Sequence, residues 1–272
     1  MIAPGFAGME AQLWLLLIAM IRPGAAMLAA PVFGAAAVPV QVRIILSLAI
    51  GMAALNNVHI TLPPGGVASI AGVAMIGGEV LAGLALGFAL QLGYAAAFVA
   101  GETIATAMGL SFASMMDPQT GQSTPVVGQF LSIVSTFLFL AMDGHLLLIR
   151  FVIASYVSLP PGAGLMPNSA FQSIVSFGGS MIAAGVTIAL PVAFTLILAQ
   201  LVMGMLARTA PSLSLFSVGI PATLLAGLVL LAIGAPVMGE GIADALRGGL
   251  DLAESLAMSG PGSGPASGPG SR

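Results

Sequence analysis

Ionisable residues inside apolar runs are the first places where this sequence could do chemistry. Burying a charge in a membrane is costly, so an acid or base there is a functional candidate by default. The candidates are Glu79, Glu102, Asp117, Asp143 and His145. Acidic side chains within a membrane can carry protons, and a neighbouring acid and base such as Asp143 and His145 can support hydrolysis.

The sequence lacks the residues that hydrolysis and metal binding require. The chain has no Cys and only two His, and these two, His59 and His145, are far apart in the sequence. No zinc-binding HExxH motif, nucleophile elbow or Walker loop occurs. The occurrence of Asp143 next to His145 needs no catalytic explanation, because Asp143 can cap a helix that begins at His145. We favour this capping role over catalysis. We therefore expect no enzyme, no cofactor and no metal site.

Glu79 begins a segment whose glycines are spaced for close helix packing. Gly83 and Gly87 form a GxxxG pattern that puts both on one helix face, with Glu79 one turn earlier on that face. Small residues allow the backbones of two membrane helices to approach closely. We expect a close helix contact here, and the pattern favours Glu79 pairing with a helix terminus or an Arg over carrying a proton.

Three arginines, Arg22, Arg43 and Arg208, each lie near a proline in an apolar context. A guanidinium group binds the carbonyl oxygens at a helix C-terminus or pairs with a carboxylate. We expect these residues to cap helices or to form ion pairs with neighbouring chains, in preference to binding a substrate. Lys is absent, so the chain has no basic patch for nucleic acid.

The composition determines which class of element must position these residues. Of 272 residues, 6% are charged and 58% are hydrophobic, whereas about 25% are charged in a soluble globular domain. The charges are too few to cover a soluble surface, and the chain is too apolar to be disordered. The sequence therefore predicts an all-α integral membrane protein, or a subunit buried in a membrane assembly.

The apolar runs predict about six hydrophobic helical units. They are 10–30, 39–56, 67–100 with a possible break at 77–78, 126–158 as one long or two short pieces, 169–207 and 212–238. Many contain prolines, which fits either kinked membrane helices or helices packed against other protein. Charges recurring at helical spacing over 240–257 predict an amphipathic helix at a membrane surface or against a partner. We expect one helical domain over 1–258 and a disordered Gly/Pro/Ser-rich tail over 259–272.

A polar segment at 109–129 interrupts the apolar runs and is bordered by a methionine cluster. Met108, Met115 and Met116 lie in or beside it. Methionine is flexible and fills irregular gaps. The cluster therefore fits ordinary packing or a deformable seal around a conduit.

An ordered series of short motifs covers residues 10–257. It comprises Arg22-Pro23, PVFG at 31–34, Pro39 with Val42-Arg43, Glu79 with Gly83 and Gly87, Gly101-Glu102, GLSFASMMDP at 109–118, Pro125, DGHLLLI at 143–149, SYVSLP at 155–160 and LARTAPSLSLFSVGIP at 206–221. In this order the series resembles the FliR family, the export-gate subunits of flagellar type III protein secretion, which have homologues in virulence secretion. The DGHLLLI and RTAP stretches favour the flagellar branch.

The resemblance implies a structural pore subunit of the flagellar basal body in the bacterial inner membrane. It implies assembly with FliP-like and FliQ-like subunits, next to FlhB-like and FlhA-like components, in contact with lipid. Kinked helical hairpins would stack with these partners around a channel for unfolded exported proteins. It also implies that the loop at 109–125 plugs this channel, with these residues as the plug: Ser111, Phe112, Met115, Met116, Asp117 and Pro118.

A small-molecule secondary transporter is the alternative from another functional class. Glu79 and Glu102 would then carry protons. Such transporters are expected to contain internal repeats and paired broken helices. No convincing repeat is evident in the sequence, and a polar central loop fits a plug better.

Overall fold

The structure is a computed structural model, and it describes residues 7–56, 58, 60–63, 65–110, 126–209 and 219–260. These residues include seven α-helices and no strand. The helices are α1 (Ala7–Ala29), α2 (Val40–Leu55), α3 (Ile70–Ala107), α4 (Val126–Ala141), α5 (Gly144–Ser158), α6 (Asn168–Thr209) and α7 (Ile220–Met258). The all-α class predicted from the composition is confirmed.

Four of these helices are long and apolar enough to cross a membrane. They are α1, α3, α6 and α7, and their apolar portions span 18, 38, 39 and 38 residues. Helices α4 and α5 follow each other after a short break and provide a fifth span if they are counted together. Helix α2 is apolar but shorter. The protein is therefore a membrane protein.

The helix boundaries refine the predicted units in three places. Helix α3 runs through Gly77 and Gly78 without the possible break, and 126–158 forms two pieces. The predicted amphipathic helix at 240–257 is the last part of α7, which continues through Pro236. The helix predicted over 240–257 is therefore present, and its apolar residues Leu246, Leu250 and Ala257 are buried within this chain. Contact of its charged face with a membrane surface or a partner stays a prediction.

The first of two compact units contains α1, α2, α5 and the adjoining ends of three longer helices. It comprises residues 1–91, 143–177 and 248–272. Gly51 of α2 lies so close to α1 that a Cβ atom there would be 2.9 Å from the carbonyl oxygen of Ala19. The hydroxyl of Ser158, at the end of α5, donates to the carbonyl oxygen of Ala257 in α7. A close backbone contact thus joins α1 to α2, and a side-chain hydrogen bond joins α5 to α7 in this unit.

The second compact unit comprises residues 92–142 and 178–247. Helices α3 and α4 cross at Gly101 and Gly128, where a Cβ on Gly101 would be 2.4 Å from the Cα of Gly128. The hydroxyl of Tyr94 lies 2.9 Å from both the carbonyl oxygen of Ser132 and the hydroxyl of Thr136. Glycines at the crossing and a polar link one to two turns away thus hold α4 against α3.

Candidate functional site

A buried ion pair joins α1 to α3 within the first unit. The Arg22 side chain donates from Nε to Oε2 of Glu79 at 2.9 Å and from Nη2 to Oε1 at 2.7 Å. Arg22 is fully buried and Glu79 is 2% exposed. A guanidinium and a carboxylate in this two-bond geometry satisfy each other's charge without water.

The remaining donors of Arg22 bind α5 and its C-terminal end. Nη1 donates to the Ser155 hydroxyl at 3.0 Å, and Nη2 also donates to the carbonyl oxygen of Leu159 at 2.8 Å. The guanidinium lies 4.1 Å from the ring centre of Tyr156, a cation–π contact. The Tyr156 hydroxyl donates to the carbonyl oxygen of Ala19 at 2.8 Å. One arginine thus links three helices.

The GxxxG glycines bring α3 against α1 directly beside this pair. A Cβ atom on Gly83 would lie 2.2 Å from the carbonyl oxygen of Arg22. A Cβ atom on Gly87 would lie 2.3 Å from the carbonyl oxygen of Ala26. Neither position has room for a side chain, so the glycines permit the approach that allows Glu79 to reach Arg22.

This arrangement can stabilise a fold, but it is poorly suited to proton transfer. Both oxygens of Glu79 bind Arg22, and the pair is inaccessible to solvent. A proton carrier must exchange its proton with a donor or with water. The geometry therefore favours a structural role for Glu79, with its ion-pair partner inside the same chain.

Glu102 has a different environment, in the second unit. It lies on α3 beside a groove of about 600 Å³ between α3 and α6. One carboxylate oxygen, Oε1, is inaccessible to solvent and accepts no hydrogen bond from any described residue. A Cβ atom on Gly128 would lie 2.8 Å from this oxygen. We call this cavity the Glu102 groove.

Arg43 and Arg208 occupy less constrained positions than Arg22. Nη2 of Arg43 donates at 2.6 Å to the carbonyl oxygen of Ala35, in the loop before α2. That carbonyl belongs to the loop and not to a helix C-terminus. Arg208 is exposed in the last turn of α6, where a positive charge complements the helix dipole.

The expected side-chain cap at Asp143 was wrong. Asp143 does precede α5, which begins at Gly144, but its side chain makes no capping hydrogen bond. Its backbone is left-handed, with φ of 55° and ψ of 25°. Asp tolerates this conformation better than most residues. Asp143 therefore begins α5 through its backbone conformation and not through its side chain.

All the predicted plug residues lie outside the described residues: Ser111, Phe112, Met115, Met116, Asp117 and Pro118. The helix end that leads into them is well packed. Met108 is buried, its carbonyl oxygen accepts from the Thr223 hydroxyl at 3.2 Å, and that of Ala107 accepts from Nε2 of Gln200 at 2.8 Å. Gly109 follows with φ of 82°, in the left-handed region that favours glycine.

Comparison with known proteins identifies the family. Residues 13–248 match the family of bacterial export proteins, family 1. The chain belongs to this family. It is 37% identical over 209 residues to the flagellar biosynthetic protein FliR of Pectobacterium carotovorum subsp. carotovorum, covering 77% of this chain and 79% of that protein.

Further FliR proteins match over similar lengths. The FliR protein of Escherichia coli strain K12 is 34% identical, with 75% of this chain and 77% of that protein covered. The FliR protein of Bacillus subtilis strain 168 is 31% identical, with 80% and 84% covered. The resemblance to FliR proteins is confirmed, and the chain is a membrane component of the flagellar export family.

Sequence reasoning missed what the SYVSLP segment does in this FliR-family chain. The segment supplies Ser155, Tyr156 and Leu159, all of which contact Arg22. The only sequence feature that could have indicated this role was the presence of polar Ser and Tyr in an apolar run. Nothing in the spacing connects this segment to an arginine 133 positions earlier.

Proposed function

We propose that the chain is a non-enzymatic pore subunit of the flagellar export gate in the bacterial inner membrane. It assembles with FliP-like and FliQ-like subunits, next to FlhB-like and FlhA-like components. Together they form the channel through which unfolded flagellar proteins leave the cytoplasm. The observation that carries the proposal is the family match over 13–248, with FliR proteins as relatives.

The length of exposed apolar surface on α6 supports a role within an assembly. Large apolar side chains are exposed at intervals from Phe171 to Leu206, a distance of about 53 Å at the rise of an α-helix. The hydrocarbon core is about 30 Å thick, and a tilt of 40° covers only about 40 Å of helix. Lipid therefore covers part of this surface, and partner subunits cover the rest.

Helix α2 supports the same conclusion. It has 16 residues, about 24 Å, which is short of a full membrane crossing. Its exposed apolar side chains include Val40, Ile45 and Met52. A short helix with an apolar outer face is covered most simply by another protein helix.

The predicted plug is part of this proposal. Ser111, Phe112, Met115 and Met116 obstruct the channel, and Asp117-Pro118 fixes the turn. Met108, which follows the end of α3, is buried and supplies a fixed attachment for the proposed plug. Opening of the gate would require the plug to leave the channel.

A leak assay tests the plug. Cells or vesicles that contain the assembled gate are compared after deletion of 111–122, with an equally long deletion of 261–272 as the control. We expect the plug deletion to admit ions or small solutes and the tail deletion to behave as wild type. An assembled gate that stays as tight as wild type after the plug deletion would exclude the plug.

A further inference from the structure

The C-terminal end of α3 needs donors for its last carbonyl oxygens. A helix leaves the carbonyl groups of its last turn without partners inside the helix. The backbone amides of Met108 and Gly109 satisfy two of them here, by donating to the carbonyl oxygens of Ile104 at 2.8 Å and Thr106 at 3.0 Å. The carbonyl oxygens of residues 107 and 108 have to be satisfied by other parts of the structure.

Gln200 of α6 and Thr223 of α7 supply these two hydrogen bonds. Nε2 of Gln200 donates to the carbonyl oxygen of Ala107 at 2.8 Å, and the Thr223 hydroxyl donates to that of Met108 at 3.2 Å. The two donors come 93 and 115 positions later in the chain than their acceptors. All four residues belong to the second unit. Two other helices of that unit therefore cap α3 just before the predicted plug begins.

The two donors differ in their freedom to move. Thr223 is buried, and α7 lies so close to the buried Met108 that a Cβ atom on Gly227 would be 2.6 Å from its Cγ. Gln200 is only partly buried and lines the Glu102 groove, a space of about 600 Å³ between α3 and α6. A long side chain beside such a space can change its rotamer, whereas a short side chain in a close-packed region cannot move without its neighbours.

We propose that Gln200 and Thr223 are positioning residues for the plug, and that Gln200 is the one that releases it. While both hydrogen bonds exist, they hold the end of α3 and with it the segment that leads into the plug. When the Gln200 amide turns into the Glu102 groove, the carbonyl oxygen of Ala107 loses its donor, and the last turn of α3 becomes free to move. The inference rests on the proposed function, because it requires the plug.

Amide hydrogen exchange in the purified gate measures the hold on α3 directly. Gln200→Met and Thr223→Val keep a similar shape but remove the donor. We expect exchange over 104–109 to be about tenfold faster in each variant than in wild type, because a carbonyl at the helix end loses its partner. Thr195→Val is the control, because the exposed Thr195 hydroxyl donates within α6, to the carbonyl oxygen of Pro191 at 2.8 Å. Unchanged exchange in either donor variant would overturn the proposal.

Ion leakage through the assembled gate tests whether this hold acts on the plug. We expect Gln200→Met and Thr223→Val to leak more than wild type, and Thr223→Ser to stay as tight as wild type because it keeps the hydroxyl. In a gate that lacks 111–122, the same substitutions should add no further leakage, because the plug is already absent. A general loosening of the helices would add leakage in both backgrounds, and that result would overturn the positioning role.

The outcomes separate this inference from the proposed function. If deletion of 111–122 causes no leak, the proposed plug fails and the positioning role fails with it. If the deletion leaks while Gln200→Met and Thr223→Val stay as tight as wild type, only the positioning role is wrong. Size-exclusion profiles of each variant check assembly. Gln200→Glu, whose carboxylate also lacks a donor, takes the place of Gln200→Met if that variant does not assemble, with the same results expected.

Discussion

Arg22 and Glu79 lie 57 positions apart in the sequence and form a two-bond ion pair that is shielded from solvent. The same guanidinium binds Ser155 and the carbonyl oxygen of Leu159, so it also reaches α5. A buried charged network of this kind is satisfied in only one arrangement of the helices. It therefore fixes the register of α1, α3 and α5 in the first unit.

Removing one member of this pair should be more harmful than removing both. Arg22→Met leaves the Glu79 carboxylate buried without its cation, and we expect a loss of about 3–5 kcal/mol in the free energy of unfolding. The double variant Arg22→Met/Glu79→Met leaves no buried charge and should recover much of that loss. Unfolding in detergent, followed by circular dichroism, measures both. A double variant as unstable as the sum of the single variants would contradict the pairing.

The GxxxG contact predicts opposite effects for two alanine substitutions in the same helix. Gly83→Ala introduces a Cβ atom 2.2 Å from a backbone oxygen of α1, so we expect a loss of about 1–3 kcal/mol from overpacking. At Gly77 an added Cβ meets no atom within 4 Å. Gly77→Ala should therefore be neutral or stabilising by up to about 1 kcal/mol. Equal thermal shifts for the two variants would rule out the close contact.

The left-handed backbone at Asp143 predicts tolerance of residues that accept positive φ. Asp143→Gly and Asp143→Asn should change stability by less than about 0.5 kcal/mol, because no side-chain cap is lost. Asp143→Val should cost about 1–2 kcal/mol, because a β-branched residue is strained there. Melting temperatures of the three variants measure this order. If Asp143→Gly were as unstable as Asp143→Val, the Asp143 side chain would contribute to stability, and this prediction would be contradicted.

The packing of Met108 predicts that a substitution outside the plug makes the gate leak ions. A Cβ atom on Gly227 would lie 2.6 Å from Cγ of Met108, so Gly227→Ala pushes this flexible side chain away and loosens the start of the predicted plug. We expect ion leakage above wild type but below that of the 111–122 deletion. Gly239→Ala in the same helix is the control, because its Cβ meets no atom within 4 Å. Identical leakage in the two variants would contradict this anchoring.

The apolar runs of the sequence were enough to predict the all-α class and most helix extents. They could not predict that α3 continues through Gly77 and Gly78, because glycine weakens a helix without necessarily ending it. Nor could they predict that 240–257 continues α7, because an amphipathic pattern does not reveal whether its apolar face is covered by the same chain.

The site was only partly accessible from the sequence. The spacing of Glu79, Gly83 and Gly87 indicated one helix face, since that relation is local. The pairing of Glu79 with Arg22, and of Arg22 with Ser155, depends on contacts between residues far apart in the chain. Asp143 was misjudged because Asp is common both as a helix cap and in left-handed turns, and the sequence does not distinguish the two.

Native mass spectrometry of the co-expressed subunits tests the gate assignment most directly. The chain is purified in detergent with and without its FliP-like and FliQ-like neighbours. We expect a discrete hetero-oligomer in which this chain is the minority subunit. A stable monomer or homodimer that ignores those neighbours would contradict the assignment, and the acidic residues would then have to be tested as a transport pathway.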